Sequence, residues 1–160
     1  MRGSVLLIAL LATQLAPAPR PDFNGIWIGD DTKNAAAIKS GIVPARERIS
    51  ILHTPLNVVV TLRPVGSRGQ DLPVPPNMET VCNFGETPAE NLRPMLVESC
   101  LARWNDDALV MTLETKGAGS VPFRVTVITY AISDGQLKTT RTLTVNGALR
   151  SSVDLYYSRP

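Results

Sequence analysis

Beyond Asp22, most of this chain alternates apolar and polar residues in steps of two, the spacing of half-buried strands rather than of helices. "RISILHT" sets Ile49, Ile51 and His53 on one side, and "NVVVTLR" does the same with Val58, Val60 and Leu62. "DALVMTLET" alternates Leu109, Met111 and Leu113 with polar neighbours. "LKTTRTLTVNG" aligns Leu137, Thr139, Arg141, Leu143 and Val145, and "LRSSVDLYYS" aligns Leu149, Val153, Leu155 and Tyr157.

Short turn signals separate the runs: "HTPLN", "WNDDA", "SDGQ" and "VNGA" carry Pro, Asn-Asp, Asp-Gly and Asn-Gly. Turns this short join antiparallel neighbours, because a parallel return needs a crossover of about a dozen residues or more. A meander with one apolar face can stack as two sheets or close on itself, and closure removes its exposed edges. The predicted fold class is therefore all-β, an up-and-down antiparallel β-barrel of about eight strands. Three stretches stand outside the alternation. "TKNAAAIKSG" (Thr32 to Gly41) reads as a loop with one or two helical turns, favoured by its alanines. The proline-rich Arg63–Asn77 reads as a long loop, and "GETPAENLRPM" (Gly85 to Met95) as a long hairpin connection.

The first residues read as a leader. Arg2 precedes the apolar run "VLLIALLA" and the small residues "APA" (Ala16 to Ala18), the layout of a secretory signal. The run is shorter than the roughly 20 apolar residues of a membrane-spanning helix. The expected division is a signal peptide over 1–18 and one folded domain over 22–159, with a secreted or periplasmic destination. Pro19 would follow a cut after Ala18 and is poorly suited to it, so the cleavage position stays open, and an uncleaved N-terminal anchor is the alternative. Formal charge is +2 over 160 residues, with no run of Lys and Arg, which gives nucleic acid no electrostatic footprint. One histidine and no Cys-x-x-Cys supply little for a metal, and no cofactor is expected.

The stretch "FNGIW", with Gly25 and Trp27, resembles the Gly-x-Trp opening of lipocalins and related calycin barrels. The order of "GIW", "LHTPLNVVV", "RWNDDALVM", "YAISDGQLKTTRTL" and "VDLYYSRP" is similar to that of small secreted bacterial lipocalin-like domains, over Asp22 to Arg159. The resemblance implies that Trp27 closes one barrel end and that an arginine from a late strand packs across its ring. Arg141 is the arginine that fits. The resemblance also implies a binding protein rather than an enzyme.

Four further positions carry expectations. Cys82 and Cys100, the only cysteines, read as one disulfide across the Gly85–Met95 connection in an exported chain, with two buried thiols as the alternative. His53 caps its hairpin, or contacts a ligand, or in principle serves as a general base. Trp104, before "NDD", packs at the barrel end or stacks on a ligand. Glu98 shares the phase of Cys100 and Trp104 and points inward unless a one-residue slip turns it to solvent.

The expected lining is apolar: Val58, Val60, Leu62, Trp104, Leu109 and Met111, with Phe123, Val125 and Tyr157 completing it, and Val127 in the same phase as Val125. Such a lining suits a small hydrophobic or amphipathic molecule, and it suits a filled core equally well. Two functions follow: a non-enzymatic exported binder of such a molecule, or a solid barrel whose long loops contact a protein partner.

Overall fold

A computed structural model describes residues 19–66, 68–74, 78–93, 96–116 and 123–160. The expected leader, 1–18, lies outside them. Ten strands form one sheet. They are β1 (Gly25–Gly29), β2 (Arg48–His53), β3 (Asn57–Arg63), β4 (Glu79–Phe84), β5 (Ala89–Arg93), β6 (Leu96–Asn105), β7 (Ala108–Lys116), β8 (Arg124–Ser133), β9 (Gln136–Val145) and β10 (Ala148–Ser158). A five-residue helix, α1 (Ala35–Lys39), lies between β1 and β2, inside the stretch expected to hold a helical turn.

The sheet closes. Its order is β4-β3-β2-β1-β10-β9-β8-β7-β6-β5, and β4 also pairs with β6. Nine strands thus make the ring, and β5 stands outside it. The chain is the expected barrel with one difference, a parallel seam. Asn83 pairs with Leu101 and Phe84 with Ala102 in parallel, because β5 is interposed between β4 and β6 in sequence. The Gly85–Met95 stretch is therefore not one long connection: it contains β5, antiparallel to β6 from Ala89↔Cys100 to Arg93↔Leu96.

Only two residue pairs make the seam, and side chains reinforce it. Cys82 and Cys100 are joined in a disulfide across it, both fully buried, with their Cα atoms 4.6 Å apart. The Asn91 side chain acts as a strand partner for Val81, accepting from its N–H and donating to its carbonyl, each at 2.8 Å. The Arg93 guanidinium donates to the Glu79 carbonyl, Thr80 Oγ1 and Glu98 Oε1. Asn34 repeats the device at the other side of the barrel, bonding the N–H and carbonyl of Tyr156 beyond the end of β1.

Local chemistry explains the turns. Asp134-Gly135 and Asn146-Gly147 all have positive φ, between 49° and 78°, as the tight hairpins between β8 and β9 and between β9 and β10 require. Connectivity puts the β2–β3, β4–β5, β6–β7 and β8–β9 turns at one end of the barrel with residues 19–24. The β1–β2 and β9–β10 connections lie at the other end.

Inward phase follows pairing. Met111 opposes Ile128 and Leu109 opposes Tyr130, so the even-numbered residues of β8 face the interior. The core includes Phe23, Trp27, Ile49, Val58, Leu109, Met111, Leu137, Leu155 and Tyr157. Ala37 and Val43, from the segment between β1 and β2, join it.

Candidate functional site

Trp27 is buried at the end that holds residues 19–24. It is 1% exposed, opposes Ile49 of β2, and donates its indole N–H to the Phe23 carbonyl at 2.8 Å. That bond satisfies a buried donor and ties the segment before β1 over the barrel end. Gly25 has φ +121°, and a Cβ there would stand 3.3 Å from Nη1 of Arg159. The glycine of Gly-x-Trp therefore leaves room for the arginine that covers the tryptophan.

That arginine is not Arg141. Arg159, just past β10, lies over the Trp27 ring at 4.5 Å from its centroid. Arg141 opposes Val153 and Ile128, further from the end of β10, and spends its guanidinium elsewhere. Its Nη2 donates to Tyr157 Oη at 2.9 Å and lies 3.3 Å from Glu47 Oε2. Tyr157 donates its own hydroxyl to the same carboxylate oxygen. This triad keeps an inward charge satisfied, as its burial demands. Burial raises the Tyr157 pKa, against the Arg141 charge and with the help of Glu47. Burial likewise pushes Tyr130 up to about 12.

Among the described residues, side chains fill most of the interior around the triad. Val60, Leu62, Met111, Ile128, Tyr130 and Arg141 border a cavity of about 90 Å³. A water occupies about 30 Å³ of liquid, so about three fit, and small-molecule pockets run to about 300–1,000 Å³. Val58, Leu109 and Tyr157 are fully buried in side-chain contacts. Leu62 keeps the inward phase but is 36% exposed at the cavity mouth. Three residues expected inside are corrected. Val125 opposes Glu114 and Thr144 and faces outward, as does Val127 opposite Thr112 and Thr142. Phe123 precedes β8, is 41% exposed, and exchanges backbone and side-chain hydrogen bonds with Asn146 of the β9–β10 turn.

A larger hollow lies outside the lumen, at the Trp27 end. It is a groove of about 560 Å³, walled by Trp104, Phe84, His53 and Pro55 together with Arg20, Pro21 and Asp22. Trp104 is half-buried at the end of β6, in phase with Cys100 and Ala102. Phe84 lies parallel to it within 4° at 6.3 Å, Phe23 packs at 5.8 Å, and His53 meets it edge-on at 5.6 Å. The Arg20 guanidinium sits 4.9 Å from the Trp104 ring centroid. His53 does not cap its hairpin. Thr54 does so, with Oγ1 accepting from the N–H groups of Leu56 and Asn57. The His53 backbone N–H donates to Asn24, and its Nδ1 is buried with no partner among the described residues.

Glu98 keeps its phase. The β6–β7 register runs unbroken from Val97 to Asn105, so no slip turns it outward, and Arg93 at 3.2 Å answers its charge. The pattern of the sequence reached Trp104 and His53 but missed the groove itself. Phe84 stands in "TVCNFGE" and Arg20 between the expected leader and the expected domain, and neither carries a periodic signal.

No family model and no curated protein matches the sequence. Among solved structures, a secretory abundant heat soluble (SAHS) protein of Ramazzottius varieornatus, from a dimer sample, is similar over 86% of this chain and 95% of its own, with TM-score 0.54 and 9% identity. Secretory abundant heat soluble protein 4 of the same organism is similar over 86% of this chain and 94% of its own, with TM-score 0.51 and 13% identity. At such identities the likeness is one of fold, a closed β-barrel.

Proposed function

We propose that this chain is an exported, non-enzymatic protein that binds a small amphipathic molecule at the end of its barrel, in the groove around Trp104. One contrast carries the reading: the groove measures about 560 Å³, within the range of ligand pockets, whereas the lumen offers about 90 Å³. The groove combines aromatic and proline surface with a few polar groups that orient a guest, Arg20, Asp22 and His53. In the lumen, Glu47, Tyr157 and Arg141 are engaged with one another. Export fits the buried disulfide, a bond of oxidising compartments.

Native mass spectrometry of the protein purified from its own host tests the reading. A co-purifying small molecule, lost in Trp104→Leu, supports it. A bare mass with retained protein partners supports instead an interaction module. The near-solid lumen and the exposed pair Leu92 (78%) and Val97 (42%), opposed on the β5–β6 wall, favour that second reading.

A further inference from the structure

The Trp104 groove already holds a cation of the chain's own. The Arg20 guanidinium rests on the indole face, and among the described residues no hydrogen bond or ion pair fixes it there. An electron-rich ring draws a cation to its face, indole most strongly, and additional rings around it make a better cage. Phe84 lies parallel to the indole and His53 meets it at a right angle, so further rings stand beside the one that carries the cation.

The charge around this end is mixed, with Arg103 beside the β6–β7 turn and Lys33 bonded to Gln136 beside the β8–β9 turn, but the turns themselves carry carboxylates and no cation. Its turns carry the exposed carboxylates Glu86, Asp106, Asp107 and Asp134, and Asp22 stands in the groove wall. The two guanidiniums of residues 19–24 and 159–160 are Arg20 and Arg159, and Arg159 is committed to Trp27. An acidic rim around an apolar cleft raises the local concentration of cations.

We propose that the groove selects an amphiphile with a cationic head, an alkylammonium whose nitrogen takes the place of Arg20 on Trp104 and whose carbon chain lies along Phe84 and Pro55. This rests on the groove being the binding site. Arg20 is then a tethered competitor, displaced when the guest binds.

Isothermal titration of octyltrimethylammonium, octyl sulfate and octanol into the full folded domain tests it. The ammonium is expected to bind about fivefold more tightly than octanol, the scale of one exposed cation–π contact. Arg20→Ala is expected to tighten the ammonium about threefold by removing the competitor. Trp104→Phe, a milder change than Trp104→Leu should the latter not fold, is expected to weaken it. Equal affinity for all three probes, tighter octyl sulfate, or an Arg20→Ala variant that binds the ammonium more weakly overturns the charge preference and leaves the groove reading standing. Absence of binding by any probe overturns both.

Discussion

Arg159 lies over the indole of Trp27, its guanidinium carbon 4.5 Å from the ring centroid, and Gly25 makes room for it by having no side chain. The contact joins the last residues of the chain to the first strand. Arg159 is exposed, so Arg159→Ala should cost only about 0.5–1 kcal/mol. Trp27→Ala removes the buried ring itself and should cost about 3–5 kcal/mol. Urea unfolding of both variants checks the ordering, and equal losses would contradict it.

Arg141 behaves differently because its partners are buried. Arg141→Met strands the Glu47 carboxylate, which is 8% exposed, and should cost about 1–3 kcal/mol. Adding Glu47→Gln should recover part of that loss, since the stranded charge is removed with its partner. A double variant as unstable as the sum of the two singles would contradict the triad.

The disulfide should matter more than its loop length alone suggests, because it spans the barrel's two-pair seam. Cys82 and Cys100 are 18 positions apart in sequence. The chain-entropy model gives roughly 3 kcal/mol for a loop of that order. Cys82→Ala/Cys100→Ala should lower Tm and, in hydrogen exchange, deprotect β4 and β6 before β8 and β9. Uniform loss of protection would contradict a weak seam.

Alkaline pH should unfold the protein through its tyrosines. Unfolded tyrosine releases its proton near pH 10, whereas Tyr130 holds its proton up to about 12 and Tyr157 is raised as well. The folded state therefore binds more protons above that point. Stability is full below about pH 10 and falls as pH rises towards the folded values. Urea midpoints at pH 9 and about pH 11 should show the decline, with buried tyrosinate absorbance appearing together with unfolding. In Tyr130→Phe the decline should be shallower.

The barrel was legible because β2, β3, β7, β9 and β10 each carry a one-sided apolar pattern. β8 was not. "RVTVITYAIS" has valines on one face and isoleucines on the other, and only its pairing with Met111 decides which faces inward. The parallel seam was hidden for another reason. β5 contains Glu90, Asn91 and Arg93, polar residues that read as a loop, and the last two reach across to β4. Arg141 and Arg159 both lie near the C-terminus in sequence. What separated them was register, since the end of β10 carries Arg159 back beside β1. The groove was illegible because it is assembled from turns and a segment before the first strand, where no periodicity operates.

The two indoles separate the central claim from its rival in one experiment. Nitrogen-15 NMR during titration with the three octyl amphiphiles should shift the Trp104 indole N–H and leave that of Trp27, bonded to the Phe23 carbonyl, in place. Movement of the Trp27 indole N–H and of the Met111 backbone N–H, with Trp104 still, would place the guest in the lumen and contradict the account.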